Sequence, residues 1–563
     1  MWKKSIAFVL LCLLCVTLLA GCGCGSGAQS GTSGGTQNSG SGGTQSGGSG
    51  GTQNSGSGGT GSEISSMGGT TVGAVATEDV KYAEHIDIIV NETQVTVINP
   101  TLSAGTGAPS YWIYLMNNDR LVEMNESEEI LPMLAKEFHT DDYITFTFKL
   151  RDDVYFHDGN KFTSEDVVWT IESALADASS PAHNMWIRVV SVTAPDPYTV
   201  EMVMDSMYVD WYRELSRNRA GFLCKAAYEA DPNGLSWGMI GNGPFKVVNF
   251  SSNDYCTLER FDGYWGEPPP TKSVTLWTIP EMSTRMVMLE NGEAQVSFQM
   301  TPEDCDALAV DPRFQIFPVR LNEPVGIGFN NQGEELIMDI NFRLAIAHAL
   351  NCDEIAMVAL GNWAEAPKDG NMWGPISQYR LEGLPKREYN PELAKEYLAK
   401  TSYKGQTIKL MTTSAQNIRA AEYIQMQLSK VGITISVEQM DHAAFMAAHM
   451  YDPQSERQIY LFSLSMSQDA ISNLNSLNGR STNRLNVNDD YIWDLREQYY
   501  LLSDDEGRRD VAYKLQQYIY DKMICYATFF RIQAVVATKG IGGLKLSANQ
   551  FEHVLRGIYW IKE

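Results

Sequence analysis

The sequence predicts an α/β protein, and three stretches carry that prediction. The first is "YITFTFKL", residues 143–150, in which Ile144, Phe146, Phe148 and Leu150 alternate with Thr145, Thr147 and Lys149. One apolar and one polar face is what a half-buried strand requires. "HDGN" at 157–160 then signals a turn. The second stretch opens at Thr163, which is placed to cap a helix. Glu165 and Asp166 favour its positive end, and Val167, Val168, Ile171, Ala174 and Leu175 follow at helical spacing. A further helix is expected from Asn390-Pro391-Glu392, a cap followed by proline at the first helical position, with Leu393, Ala394, Tyr397 and Leu398 as its stripe. The third stretch reads as βαβ. "TIKLMTT" (407–413) is a strand, Ile418, Ala421, Ile424, Leu428 and Val431 form a helical stripe closed by Gly432, and "ITISV" (433–437) alternates again. Strand, helix and strand in that order imply a right-handed parallel crossover.

Ahead of these elements lies a segment of another kind. Lys3 and Lys4 precede an almost wholly apolar run from 5 to 20, the length of a secretory h-region and shorter than a membrane span. It ends in Leu19-Ala20-Gly21-Cys22, which resembles the lipobox of bacterial lipoproteins. There the leader is cut before the cysteine, whose thiolate is then alkylated by a lipid donor, so Cys22 is the expected lipid anchor. Residues 23–66 repeat "SGGTQ" and "NSGSGGT" units with no aliphatic side chain beyond Ala28 until Ile64. Such a chain cannot bury enough apolar surface to offset its ordering entropy. As a Gly/Ser coil it has a reach of roughly 35 to 40 Å. Residues 1–21 are thus a signal peptide, 22–77 an anchor and tether, and the working part begins near residue 78.

From there to Glu563 the length suggests two or three domains. The chain is 44% hydrophobic and 10% aromatic, enough for large cores, and has no second apolar run of span length. The formal charge is −25, and loss of Lys3 and Lys4 makes it −27. An acidic surface repels nucleic acid and anionic lipid, so no nucleic-acid partner is expected. Outside the leader and anchor, Cys224, Cys256, Cys305, Cys352 and Cys525 are widely spaced with no C-x-x-C, which suggests neither a zinc site nor a disulfide framework.

Metalloprotease and nucleotide-binding motifs are missing. There is no H-E-x-x-H, P-loop or dinucleotide fingerprint, so no cofactor is expected. His442 and His449 are seven apart with no third metal ligand in view, and His157 reads as a hydrogen-bonder within its turn. Asp152-Asp153 and Asp504-Asp505 read as loop charges, and a glycosidase pair cannot be sorted from 68 acidic residues.

Several segments together resemble one family. "LAKEFHTDDYITFTFKLRDDVYFHDGNKFTSEDVVWTIESAL", "GNGPFKVVNFSSNDYCTLERFDGYWGEPP", "STRMVMLENGEAQV", "VGIGFNN" and "FRLAIAHALNCDEI" follow one another in order. They are similar to the signature segments of the bacterial extracellular solute-binding proteins of family 5, the oligopeptide and dipeptide receptors of ABC importers. The likeness runs from about residue 79 to 563. It implies a two-lobed periplasmic-binding-protein-like (venus flytrap) α/β fold with an extra domain inserted in the first lobe. Lobe I would take 78–120, 239–319 and 530–563, the extra domain 121–238, and lobe II 320–529, with the chain crossing near Arg320 and Phe530.

The resemblance also implies a peptide or other small solute held between the lobes, an ABC permease as partner, no catalysis, and a monomer lipid-anchored outside the cytoplasm. Ala104, Gly105, Thr106 and Gly107 match the family's first ligand-contacting loop. Phe329 and Asn330 follow the hinge strand, and Trp363 takes an aromatic position that lines the pocket, whereas Trp373 reads as core. "LFSLSMSQDA" (461–470), with Ser463, Ser465, Met466, Ser467 and Asp469, corresponds to the segment that cradles a peptide's amino end. It departs from the family's W-x-x-D-Y: Ser463 replaces the tryptophan and Met466 the aspartate. An oligosaccharide or metal-chelate receptor of the same fold stays open as an alternative, as does an exported hydrolase.

Overall fold

A computed structural model of the chain describes Thr70–Val72, residues 81–90 and most of 108–562. Outside the described residues lie 1–69, 73–80, 91–107, 126–128, 179–181, 218, 233–235, 414–416, 442–443, 445–457, 465, 467–470, 472–484, 550–552 and 563. The expected signal peptide, Cys22 and the tether all fall there.

Two long strands, Phe314–Phe329 and Cys525–Thr538, organise the molecule. They pair antiparallel from Phe314↔Thr538 to Gly328↔Cys525, and the register breaks between Arg320↔Ile532 and Pro324↔Phe530. Leu321, Asn322 and Glu323 therefore stand opposite Arg531 alone. Extra residues on one strand bend a pair locally, and Pro324 has no N–H to give the ladder. The core changes at this break. Val319, Leu321, Val535 and Ala537 belong to one apolar cluster, and Val325, Ile327, Phe329 and Phe529 to another. The molecule is two-lobed, and the two strands run through both lobes.

In lobe I the sheet continues through Val296–Ser297, His85–Val90, Ser273–Thr278, Tyr255–Arg260 and Phe245–Ser251. In lobe II it continues through Ile459–Ser463, Ile408–Thr412 and Ile435–Gln439. The predicted βαβ unit is present in lobe II. Ile408–Thr412 and Ile435–Gln439 are parallel, and helix Ile418–Lys430 between them buries Ala420, Ala421, Ile424 and Leu428. Gly432, at φ +88°, closes that helix in the left-handed region. Asn390 caps helix Pro391–Leu398 by accepting from Leu393 N–H at 3.0 Å; of its stripe, only Ala394 is fully buried. Trp373 is wholly buried, as a core residue.

A separate four-stranded sheet runs Ala135–His139, Thr145–Leu150, Thr199–Met204, Val189–Asp196. It has its own core, which includes Phe146, Phe148, Leu150, Phe162, Trp186 and Trp211. This is the inserted domain. Strand Thr145–Leu150 buries Phe146, Phe148 and Leu150, the face its alternation predicts. Helix Ser164–Ala176 begins as expected: the Asp166 carboxylate accepts from Thr163 N–H at 2.9 Å and from its hydroxyl at 3.2 Å.

The insert is fastened to lobe I by two dense knots. In the first, Trp265 of lobe I packs against the insert's core, with the insert's Arg151 guanidinium 4.2 Å from its ring centre. Trp265 Nε1 donates (2.8 Å) to the fully buried Asp119 carboxylate of lobe I, which also accepts from Tyr264 Oη (2.9 Å) and Arg556 Nη1 (3.2 Å). In the second, Gly241-Asn242-Gly243 is wedged between the end of helix Ala108–Asn117 and His157. A Cβ on Gly241 would lie 1.9 Å from the Asn117 carbonyl oxygen, so the close approach requires glycine. Asn242 Oδ1 accepts from Asp119 N–H at 2.9 Å. The sequence predicts that His157 bonds within its own turn; its ring instead bonds outside that turn. Its Nδ1 accepts from Gly241 N–H (3.2 Å) and its Nε2–H donates to the Gly243 carbonyl (3.0 Å), because this segment runs directly past the ring. Burial pushes its pKa down to about 4, so the ring is neutral. Among the described residues, the five cysteines are free thiols, and all but Cys352 are buried.

Candidate functional site

Strand directions locate the site. Phe314–Phe329 runs from lobe I to lobe II, and Cys525–Thr538 runs back. Val296–Ser297 is antiparallel to the second of these, so it and its parallel neighbours His85–Val90 and Ser273–Thr278 run toward lobe II. Ile459–Ser463 is antiparallel to the first, so it and its parallel neighbours Ile408–Thr412 and Ile435–Gln439 run toward lobe I. The carboxyl ends of both parallel sets thus face one another across the register break. Ligands in open α/β sheets bind outside carboxyl ends, where neighbouring strands send their connections in opposite directions. Lobe II has such a point between Thr412 and Ser463, since the chain leaves Ile408–Thr412 for one side of the sheet and Ile459–Ser463 for the other. Lobe I has one between Val90 and Ser297.

At the lobe II point, the Thr413 hydroxyl pairs with Tyr460 Oη at 3.0 Å. Asn417, at the start of helix Ile418–Lys430, is 1% exposed. Its Oδ1 accepts from Arg531 Nη2 (2.8 Å), while its Nδ2 has no partner among the described residues. Arg531 also lies 3.5 Å from Glu323 in the bulge. Hydroxyl, amide and guanidinium donors therefore line this end of lobe II, a set that suits the carbonyls and hydroxyls of a polar solute.

Two contacts bridge the lobes beside the hinge. Arg419 Nη1 donates to Glu303 Oε1 at 3.0 Å, and Trp363 Nε1 donates to Asp306 Oδ1 at 3.3 Å. Backbone hydrogen bonding by Glu303's own N–H, and then Arg419, hold that carboxyl below its usual range. The bulge itself is pinned to both lobes. Asn322 N–H donates to the Ala548 carbonyl, and the Asn322 carbonyl accepts from Met466 N–H, both at 2.8 Å. On the lobe I side His553 is fully buried between Trp112 and Phe298. Its Nδ1 accepts from Ser547 N–H, and its Nε2–H donates to Gln533 Oε1. Burial pushes its pKa down to about 3, so it is a neutral structural imidazole with both nitrogens engaged.

The expected site residues separate into groups. Ser463 lies at the switch point, paired with Val325 across the strand, and is partly exposed. Met466 is close by in the chain but wholly buried. Trp363 is half-buried and turned toward the lobe I helix Pro302–Ala309. Phe329 and Asn330 are not brought together with Ser463. Phe329 pairs with Ile459, at the opposite end of that strand, is buried beneath Arg343, and hands on to Asn330, whose Oδ1 accepts from Asn486 Nδ2. Ala104, Gly105, Thr106, Gly107, Ser465, Ser467 and Asp469 lie outside the described residues. Arg531 and Asn417 went unnoticed in the sequence, although Asn417 sits at a strand–loop–helix junction of the predicted βαβ unit, the place where such folds gather ligand contacts. No group of three or more His, Cys, Asp or Glu side chains suited to a metal ion occurs among the described residues.

Comparison with known proteins agrees with this geometry. The glutathione-binding protein GsiB of Escherichia coli (strain K12) is 25% identical over 356 residues, covering 61% of this chain and 66% of the relative, so the chain spans just under two thirds of the length of that curated relative. DppA from Helicobacter pylori, in complex with the peptide STSA, superposes with a TM-score of 0.73 at 22% identity, over 85% of this chain and 99% of that one. NikA from Brucella suis, in complex with Fe(III)-EDTA, superposes with a TM-score of 0.75 at 20% identity, over 84% and 99%. The family described as "Bacterial extracellular solute-binding proteins, family 5 Middle" matches residues 129–486, more than half of the sequence. This chain belongs to the bacterial extracellular solute-binding proteins of family 5.

Proposed function

We propose that this protein captures a peptide or peptide-like solute between its two lobes and delivers it to an ABC transporter permease, held outside the cytoplasmic membrane by lipid on Cys22, without acting as an enzyme. The observation that carries the proposal is the two sets of parallel strands whose carboxyl ends face each other across a two-strand hinge, where a crevice is expected. A crevice split between two bodies can release its contents only by moving them apart, which suits carriage rather than turnover. Family membership supports the same reading, as do a relative named for binding glutathione and a neighbour that holds a peptide. We assign lobe I to 78–120, 239–319 and 530–563, the insert to 121–238, and lobe II to 320–529. The ligand-contacting groups are assigned to residues 104–107 and to Thr413, Asn417, Ser463 and Arg531, with Ser465, Ser467 and Asp469 in the adjoining sequence.

The test is capture followed by mass analysis. The purified protein is incubated with mixtures of peptides, oligosaccharides and metal chelates, washed and denatured. Peptides recovered with unchanged mass are expected. Glycans or chelates recovered instead would replace the ligand class, and cleaved products would overturn the receptor reading. In cells, Cys22→Ser is expected to move the protein from the membrane fraction to the medium or periplasm, because serine cannot form the thioether.

A further inference from the structure

The lobes also meet through residues outside the hinge strands, and there the partner of lobe II is the inserted domain. Asp210 of the insert and Arg508 of lobe II form an ion pair whose side chains are only 11% and 8% exposed. The Arg508 guanidinium lies 4.3 Å from the ring centre of Tyr499. Beside it Tyr208 of the insert meets Tyr500 of lobe II edge-on, with ring centres 5.8 Å apart. Arg188 covers both rings, at 4.5 Å and 5.6 Å, while paired with Asp205 at 3.0 Å. The contact thus has matched charges and matched aromatic faces on two bodies that the chain joins only through lobe I.

We infer that this contact is a clasp that opens and closes with the lobes, and that the inserted domain serves as the outer part of lobe I's jaw. The insert's Arg151 on Trp265 and its His157 on Gly241 and Gly243 fasten it to lobe I, so it must travel with that lobe. Helices Asp490–Tyr500 and Asp505–Lys522 share the lobe II core with Trp373 and Phe462 and travel with lobe II. Any rotation at the Arg320–Pro324 break therefore parts Asp210 from Arg508. The chemistry suits a reversible contact. The attraction of a buried ion pair is largely offset by the water its members give up. On opening, both charges return to water instead of staying buried and unpaired. An apolar face of the same area would hold the jaw shut and stick to other surfaces when open. The pair also fixes the register in which the jaws meet.

The clasp rests on the two-lobed fold and not on the identity of the ligand, so it is tested without one. Donor and acceptor dyes are installed through bio-orthogonal amino acids at the exposed positions Ser191 and Lys514 of the full chain, and single-molecule energy transfer reports their separation. Asp210→Asn and Arg508→Gln are each expected to shift the equilibrium between short and long separations at least tenfold toward the long. The charge swap Asp210→Arg with Arg508→Asp is expected to recover at least half of that shift on a logarithmic scale. Tyr500→Ala, which leaves no buried charge behind, is expected to shift it in the same direction by a smaller factor. One short separation shared by the parent and all variants would overturn the clasp, as would a swap no better than the single changes. Failure to capture any ligand would leave it standing.

Discussion

By the family resemblance, Met466 aligns with the position at which the family's peptide binders carry an aspartate for the ligand ammonium. It is fully buried, in one apolar cluster with Trp373, Phe462, Leu464 and Ile471, and its N–H is taken by the Asn322 carbonyl. A methionine there offers a ligand amine neither charge nor acceptor, and a bare buried ammonium costs several kcal/mol. Binding is therefore expected not to depend on a free α-amino group. N-acetylation of the best peptide ligand should change Kd less than threefold in a calorimetric titration, and Asp469→Asn should do equally little. A loss of 2 kcal/mol or more from either change, about thirtyfold, would restore the ordinary peptide-receptor mode. The sequence made the missing acid legible, because a substitution inside a recognised segment needs no coordinates. It did not make legible that Phe329 and Asn330 sit at the end of the ladder away from Ser463, since position along a β-ladder depends on which neighbour pairs with it and in which register.

At the scale of elements, the "GNGPF" segment acts as a wedge whose fit is decided by backbone contact. Gly241 faces the Asn117 carbonyl, which ends a fully buried helix and cannot swing aside as a long side chain would. Gly241→Ala is thus expected to destabilise the protein by about 2 to 3 kcal/mol in urea denaturation. An unchanged midpoint would mean that the helix end yields. Strands and helices with a clean period were readable beforehand: the face of Thr145–Leu150, the cap at Thr163 and the βαβ unit all follow from local spacing. "VGIGFNN" shows where local reading stops. Val325, Ile327 and Phe329 fill one core, while Gly326 and Gly328 lie against Met372 and against Leu485 and Phe462 on the other face. A sequence shows that glycines alternate with apolar residues but not what presses on them. The Tyr264-Trp265 pair was recognisable as a motif in the same way, and its reason, two donors for the buried Asp119, needed the fold.

At the scale of the whole molecule, ligand capture and jaw closure are one equilibrium. The register break lies between Arg320 and Pro324, opposite Arg531 and next to Phe530, where the family likeness turns the chain from one lobe to the other. The clasp joins residues 298 positions apart and had no local signal to betray it. A ligand that touches both crevices binds only the closed form, and at a hundredfold excess over Kd it adds about 2.7 kcal/mol to stability. That free energy should be visible away from the crevice. In amide hydrogen exchange, saturating ligand is expected to slow exchange in Trp211–Leu215 of the insert and in the first turns of helix Asp505–Lys522, as well as around Thr412 and Ser463. Core strands such as Thr145–Leu150, which do not part on opening, should exchange as before. Protection confined to the crevice residues would mean that the solute binds one lobe without drawing the other onto it, and the two-jaw account of capture would fail.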